Sequence, residues 1–234
     1  MPKMVKLRSN NLILLGDTHG VKTTTRIVEE KFPEGCDVLH LGDFGLGFGH
    51  HDKLNLNILG NLCKKKQIDL YAIRGNHDDP AWWPGEHENV HLIEDYTILQ
   101  FENGDEMLCI GGGISVDRYE RRENISWWVG ELTEVKPELC QKTKFLALHD
   151  APSYFNVTTE SIKKEFPIFA QKDKTLIVEA NEQRARVDAI VDLVQPKYIF
   201  GGHYHNSCSE EVNGIRYRCL DVNESYELKA DWYE

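Results

Sequence analysis

The chain has 234 residues, of which 41% are hydrophobic and 28% are charged, and its formal net charge is -11. This length can bury one sizeable core, and the composition is typical of a globular protein rather than of a disordered, collagen-like or membrane chain. We therefore expect a single domain over residues 1–234. The excess of acidic residues disfavours long duplex DNA as a partner, because such binding depends on clustered Lys and Arg.

The cysteines and the N-terminus indicate the compartment. The six cysteines form no C-x-x-C pair, which favours neither a zinc ribbon nor a disulfide framework. The first apolar run, Leu12 to Leu15, is too short for a signal-peptide core or a membrane span. These features predict a cytoplasmic location, reduced thiols and no membrane partner.

The first half of the chain alternates short apolar runs with amphipathic stretches, and loops rich in Gly, Asp and His follow the apolar runs. This alternation predicts strands and helices in turn. The predicted elements are a strand over 11–15, a helix over 24–32, a strand over 38–41, a helix over 53–66 and a strand over 70–73. Because open α/β sheets place their ligands at the carboxyl ends of strands, we expect the chemistry in these loops.

The second half begins with three predicted strands, over 90–93, 97–101 and 107–110, and a tight turn at Asn103-Gly104. We expect this section to be mostly antiparallel. A strand over 145–148, a helix over 182–194, a strand over 198–200 and a hairpin turning at Asn213-Gly214 follow. The intervening segment 152–174 has the weakest periodicity and is interpreted as a lid or a small insertion. The pattern predicts an α/β (α+β) domain with two sheets and outer helices.

Eight polar residues lie in loops that directly follow predicted strands. A lone histidine or a lone Gly-Asp pair is ordinary in such loops. Together, however, these side chains are the oxygen and nitrogen donors of a first-row transition-metal site. The eight residues are Asp17, His19, Asp43, Asn76, His77, His149, His203 and His205.

Five motifs carry a family resemblance. In chain order they are Gly16-Asp17-Thr18-His19, Gly42-Asp43, Gly75-Asn76-His77-Asp78, His149 and Gly202-His203-Tyr204-His205. The set resembles the signature of the calcineurin-like metallophosphoesterase superfamily. The resemblance implies a four-layer fold, a two-sheet β-sandwich flanked by helices. It also implies two divalent metals at the strand ends and hydrolysis of phosphate monoesters or diesters.

The resemblance also implies a role for each motif residue. Asp43 matches the carboxylate that bridges the two metals. Asp17, His19 and His205 would complete one metal site, and Asn76, His149 and His203 the other. Manganese is the expected metal, although iron, zinc, cobalt and nickel suit the same donors. His77 resembles the general acid that protonates the leaving oxygen, and Asp78 either orients His77 or caps the following turn.

One departure from the family pattern bears on the substrate. Phosphoprotein phosphatases of the superfamily continue their second motif with Asp-Arg-Gly, whereas here Gly42-Asp43 runs into Phe44-Gly45-Leu46. The chain is therefore placed nearer the small phosphodiesterase-like branch. A Ser/Thr phosphoprotein phosphatase is the alternative, and a non-catalytic, metal-stabilised binding scaffold is a further alternative.

Other residues could replace the missing phosphate-binding arginine. The candidates are Arg118, Arg121 and Arg122, whose guanidinium groups suit phosphate oxygens; a solvated charged face is the competing interpretation. Trp127, in a polar loop, could stack on a nucleobase, which is worth roughly 1–3 kcal/mol per base, or could simply pack its loop. The predicted partner is a phosphate ester, with nucleotides and short single-stranded nucleic acids among the candidates.

Overall fold

The computed structural model describes residues 1–233, and over these residues the chain forms thirteen strands and four α-helices. In chain order the elements are β1 Met4–Lys6, β2 Asn11–Leu15, α1 Val21–Lys31, β3 Asp37–His40, α2 Asp52–Lys66, β4 Asp69–Ala72, β5 Gly85–His87, β6 Val90–Leu92, β7 Thr97–Gln100, β8 Glu106–Ile110, β9 Phe145–Leu148, α3 Glu160–Lys172, α4 Leu176–Val194, β10 Tyr198–Gly201, β11 Cys208–Val212, β12 Ile215–Cys219 and β13 Ser225–Lys229.

The strands form two mixed sheets. The six-stranded sheet has the order β13-β2-β3-β4-β6-β5, and the seven-stranded sheet has the order β1-β7-β8-β9-β10-β12-β11. Strands β2, β3, β4 and β6 are parallel, as are β8, β9, β10 and β12. Parallel neighbours need crossover connections. Helix α1 connects β2 to β3, α2 connects β3 to β4, and the α3–α4 pair connects β9 to β10. The carboxyl ends of these parallel strands therefore lie along a common edge of the domain.

Three apolar clusters place the sheets and helices in layers. The cluster between the sheets joins Leu14 and Leu39 of one sheet to Phe145 and Phe200 of the other. A second cluster packs α1 and α2 onto the outer face of the six-stranded sheet, and a third packs α4 onto the outer face of the seven-stranded sheet. This arrangement confirms the predicted two-sheet sandwich flanked by helices.

The structure differs from the sequence-based expectation in four respects. The section after residue 90 is not mostly antiparallel. The two predicted hairpins form, β7 with β8 and β11 with β12, but β6 and β9 pair in parallel with β4 and β8. Segment 152–174 contains helix α3, which has Pro167 in its interior and no buried residue. Helix α4 begins at Leu176, well before the predicted start. The unpredicted strands β1, β5 and β13 are all sheet edges.

Two further features bear on the environment of the protein. All six cysteines are free thiols, and Cys63, Cys109 and Cys219 are buried in the core. Among the helices of residues 1–233, none combines the length and the hydropathy that crossing a bilayer requires.

Phe145→Ala tests the shared core. Phe145 is fully buried between the sheets, with its ring centroid 5.4 Å from that of Phe101 and 5.7 Å from that of Tyr198. Removing the ring leaves a cavity, so we expect the free energy of unfolding to fall by about 3–5 kcal/mol in denaturant titrations. Ile58→Ala, at a half-exposed position of α2, should change it by less than about 0.5 kcal/mol. A single unfolding transition is expected, and two resolved transitions would contradict a single domain.

Candidate metal centre

All seven residues predicted as metal ligands lie at the common edge formed by the carboxyl ends of five strands. Strand β2 leads to Asp17 and His19, β3 to Asp43, β4 to Asn76, β9 to His149, and β10 to His203 and His205. The parallel order of these strands brings together loops that are far apart in sequence. The position of each residue therefore follows from the topology of the two sheets.

The side chains form two donor sets that share one residue. One set is Asp17, His19, Asp43 and His205, and the other is Asp43, His149 and His203; within each set the candidate ligand atoms lie within 4.8 Å of one another. Asn76 adjoins the second set, with its Oδ1 3.0 Å from His149 Nε2. Asp43 belongs to both sets, which is the position that a bridging carboxylate would occupy.

The charges at these sets suit a cation. Asp17 and Asp43 are almost completely buried, yet His149 Nε2 lies 3.2 Å from Asp43 Oδ1 and His205 Nε2 lies 3.2 Å from Asp17 Oδ2. Burial lowers the pKa of His149, but the charge of Asp43 opposes this effect and the pKa is raised to about 10. Against the effect of burial, the neighbouring histidines hold the pKa of Asp43 well below its usual range. Carboxylates among imidazoles form a donor set that fits a divalent transition metal.

The backbone is forced into unusual conformations at these residues. His19, Asp43, His203 and His205 have φ values of 50°, 54°, 70° and 47°, in the left-handed region that non-glycine residues rarely adopt. Hydrogen bonds fix these loops. For example, the backbone N–H of His203 donates to both carboxylate oxygens of Asp17, at 3.2 and 3.1 Å. Such conformations persist where the surrounding structure over-determines them, and they are concentrated at functional sites.

Two glycines allow the loops to approach one another. A Cβ at Gly75 would lie 2.1 Å from Asp43 Oδ1, and a Cβ at Gly42, where φ is +96°, would lie 2.4 Å from His149 Nδ1. That same Nδ1 is 2.8 Å from the carbonyl oxygen of Leu41, to which it donates. The ring of His149 is therefore held with Nε2 directed at Asp43 and Asn76, so that Nε2 is the nitrogen available to a metal.

Three buried residues that the sequence analysis did not select support the ligands. Asn76 Nδ2 donates to Ser115 Oγ at 3.1 Å, and the N–H and hydroxyl of Ser115 donate to Glu131 at 2.9 and 2.6 Å. This series of hydrogen bonds fixes the side-chain amide of Asn76 with its oxygen toward the donor set. Burial raises the pKa of Glu131 to about 7. His40 Nε2 lies 3.0 Å from the hydroxyl of Thr18 and so braces the loop after β2.

His77 lies beside the donor sets but belongs to neither. Its backbone N–H donates to Asp43 Oδ1 at 2.8 Å. Its ring nitrogens Nδ1 and Nε2 lie 3.0 and 2.9 Å from Nη1 and Nη2 of Arg121. Arg121 is held by two hydrogen bonds to Asp117, at 2.7 and 2.8 Å. Burial lowers the pKa of His77 to about 4, and the charge of Arg121 acts in the same direction, opposed by Asp43. A guanidinium only donates, and a neutral imidazole accepts at one ring nitrogen, so one of these two contacts is the hydrogen bond and the tautomer of His77 decides which.

Asp78 holds two loops together through backbone hydrogen bonds. Its carboxylate accepts from the N–H groups of Phe44, Gly45, Leu46 and Gly75, at 3.1, 2.7, 3.1 and 2.7 Å. Both oxygens are used in this way, so its observed partners are backbone groups rather than the ring of His77. Burial, together with the charge of Asp43, raises the pKa of Asp78 to about 6. Asp78 thus links the loop after β3 to the loop after β4.

A cavity of about 600 Å³ opens onto the donor sets. Asp43, His77, His203 and Arg121 are among its lining residues. Of the three arginines predicted to bind phosphate, Arg121 is thus the one that the fold brings to the metal ligands. The volume lies in the range of small-molecule sites.

The other predicted substrate contacts lie elsewhere. Arg118 donates to Asp173 at 2.6 Å and to Thr175 at 2.9 Å, so it ties its own segment to the junction of α3 and α4. Arg122 is exposed. Trp127 lines a separate cavity of about 550 Å³, with the guanidinium of Arg118 5.9 Å from its ring centroid. Its ring is therefore outside the cavity that contains Asp43.

Comparisons with known proteins bear on the family and the fold of the chain. A family model described as the calcineurin-like phosphoesterase superfamily domain matches residues 11–220. No curated protein matches the chain in sequence. Among solved structures, TT1561 of Thermus thermophilus is similar with a TM-score of 0.57 and 9% identity, covering 96% of each chain. This likeness concerns the fold alone.

Two further solved structures are less similar. GAP50, the anchor in the inner membrane complex of Plasmodium, has a TM-score of 0.42 and 9% identity, covering 94% of this chain and 78% of its own. The phosphopantetheinyl hydrolase PptH of Mycobacterium tuberculosis has a TM-score of 0.41 and 11% identity, covering 92% and 91% of the two chains. Neither likeness bears on what this chain binds.

Asp78→Asn tests the link between the two loops. The amide would present a donor to two of the four N–H groups, so we expect the free energy of unfolding, measured with a chelator present, to fall by about 1–3 kcal/mol. Asp79→Asn is the matched control, because Asp79 caps a single exposed turn, where its Oδ1 accepts from Ala81 N–H at 3.0 Å, and Asn caps equally well. Equal stabilities of the two variants would contradict the structural role.

Proposed function

The chain belongs to the calcineurin-like phosphoesterase superfamily, and from this premise we propose that it hydrolyses small phosphodiesters or phosphomonoesters with two divalent cations that share Asp43. The observation that carries the proposal is the pair of donor sets with one common carboxylate. Manganese is the proposed metal, since mixed imidazole and carboxylate donors suit it and its neighbours in the first row. A cytoplasmic location belongs to the same proposal and rests on the composition of the chain.

The cations would be held by Asp17, His19, Asp43 and His205 on one side and by Asp43, Asn76, His149 and His203 on the other. When bound, they would supply Lewis-acid polarisation of the phosphoryl group and a nucleophile at neutral pH. They would also offset the charges of the two buried carboxylates, so that an acidic protein can attract phosphate at this point. The remaining work falls to side chains of the same cavity.

Arg121 is proposed to bind the phosphate. It stands at the donor sets, its guanidinium is oriented by Asp117, and two of its nitrogens now face His77. A guanidinium fork matches two phosphate oxygens better than one imidazole, so the substrate would displace His77 from Arg121. This contact would substitute for the arginine that phosphoprotein phosphatases carry after their second motif.

His77 is proposed to donate a proton to the leaving oxygen. Its ring lies beside Asp43 without belonging to either donor set, and a ring nitrogen released by Arg121 can take up a proton from solvent and pass it to the leaving oxygen. Asp78 positions His77 indirectly, because it holds the loop that contains both residues. Neither role requires His77 to bind a metal.

Metal content and hydrolysis together test the proposal. Protein reconstituted with Mn²⁺ should contain two cations per chain by elemental analysis and should hydrolyse bis-p-nitrophenyl phosphate until a chelator is added. Asp43→Asn should weaken both sites, whereas His19→Ala should weaken one, so we expect kcat/KM to be about tenfold lower in the first variant than in the second.

Asp79→Asn, which alters neither donor set, should keep both cations and full activity. One cation per chain, or equal losses in the two ligand variants, would count against a shared carboxylate. A phosphopeptide belongs in the same series, and it should be the poorer substrate because the chain lacks the Asp-Arg-Gly sequence. A clear preference for the phosphopeptide would instead favour a phosphoprotein phosphatase.

His77→Ala tests the proton donor. We expect kcat on an alkyl ester, whose leaving oxygen needs a proton, to fall roughly 10²–10⁴-fold. The loss on a p-nitrophenyl ester should be much smaller, since p-nitrophenolate departs without a proton. Metal content should stay at the value of the unchanged protein. Loss of a cation, or equal slowing of both esters, would assign His77 a ligand or positioning role.

A further inference from the structure

The wall of the cavity that faces the donor sets is built by α3. Ile162, Glu165 and Phe169 line it, and their spacing of three and four residues places them on one face of the helix. Ile114 and Val116 line the same cavity. None of the residues of α3 is buried in the core. Ile162 also packs against the apolar cluster that contains α4, whereas Phe169 is only half-buried and so offers its ring to whatever enters the cavity.

Charge is distributed unevenly along this cavity. Among the lining residues that the structure describes, Arg121 is the one cation apart from the histidines, and it lies beside His77 at the metal end. The charged side chain that α3 contributes is Glu165, whose carboxylate accepts from the hydroxyl of Ser161 at 2.6 Å. A second phosphate near α3 would therefore meet a carboxylate instead of a cation. One phosphate, at the metal end, is what these charges accommodate.

We propose that the substrate is an ester with a single phosphate and a predominantly apolar organic group, which lies against Ile162 and Phe169 while the phosphate lies at Arg121. This inference rests on the proposed function of the same site. It excludes oligonucleotides and nucleoside polyphosphates, which carry further phosphates, and it agrees with the position of Trp127 outside the cavity. The hydroxyls of Thr159 and Ser161, which also line the cavity, can bond to a polar atom of the organic group.

A series of p-nitrophenyl alkyl phosphates isolates the organic group, because the leaving group and the charge stay constant while the alkyl chain grows from methyl through propyl to hexyl. Burial of each methylene should raise kcat/KM about threefold until the cavity is filled. Thymidine 5′-p-nitrophenyl phosphate serves as the nucleotide comparison and should be poorer than the hexyl ester. Binding of methyl-, propyl- and hexylphosphonate, measured by calorimetry, should follow the same order without any turnover.

Matched variants of α3 locate the contact. Phe169→Ala should lower kcat/KM on the hexyl ester about tenfold and leave the methyl ester unchanged, whereas Ile168→Ala, at an exposed position outside the cavity lining, should change neither. Glu165→Lys should improve the binding of 1,6-hexanediol bisphosphate relative to hexyl phosphate, and Glu160→Lys, which lies outside the lining, should not.

The outcomes separate this inference from the proposed function. Absence of metal-dependent hydrolysis for every ester would overturn the proposed function. Hydrolysis that does not depend on chain length, or a preference for the thymidine ester, would overturn only the inference about the organic group. Equal losses on the methyl and hexyl esters in Phe169→Ala would also overturn it, since they would indicate a structural effect. The series of alkyl esters is measured on the unchanged protein, so its result does not depend on whether any variant folds.

Discussion

Burying a carboxylate is costly unless neighbouring groups offset its charge, and this chain buries Asp17, Asp43 and Asp78 within neighbouring loops. Their partners differ. Asp43 lies against His149, Asp17 against His205, and Asp78 is surrounded by backbone N–H groups. These interactions require close approach between loops from different strands, which explains the glycines and the left-handed residues at their bends. The geometry of the donor sets is a consequence of how the three carboxylates are neutralised.

The two-sheet sandwich makes this charge compensation possible because the apolar core and the polar site residues occupy different parts of the fold. Apolar side chains between and outside the sheets stabilise the strands, while the strand ends deliver polar side chains from distant parts of the sequence to one edge. Two sheets contribute to that edge, so a donor set can combine a residue after β3 with residues after β9 and β10. Loop residues such as Phe44, Leu46 and Tyr204 belong to the apolar clusters, so the loops that carry the ligands are anchored on this scaffold.

The motif residues were predictable because their signal is local, since each stands directly after an apolar strand. The partners of the arginines were not predictable, because they are distant in sequence. Arg121 is 44 residues from His77, and Arg118 is 55 residues from Asp173. Such pairs depend on tertiary structure that no periodicity encodes. Ser115 and Glu131 escaped notice for the same reason. Helix α3 was missed because Pro167 lies inside it, and a proline in the interior of a segment normally argues against a helix.

Strand β11 ends the seven-stranded sheet, and its free side has a consequence for the behaviour of the protein at high concentration. An exposed edge strand offers its unpaired backbone groups to any second chain. Here the edge carries Glu210 and Glu211, both exposed, and Arg216 bonds to the latter at 2.7 Å. A second copy that aligned its own β11 would bring the same carboxylates into register against them. Edge-to-edge pairing of two copies along β11 is therefore opposed by repulsion between these carboxylates.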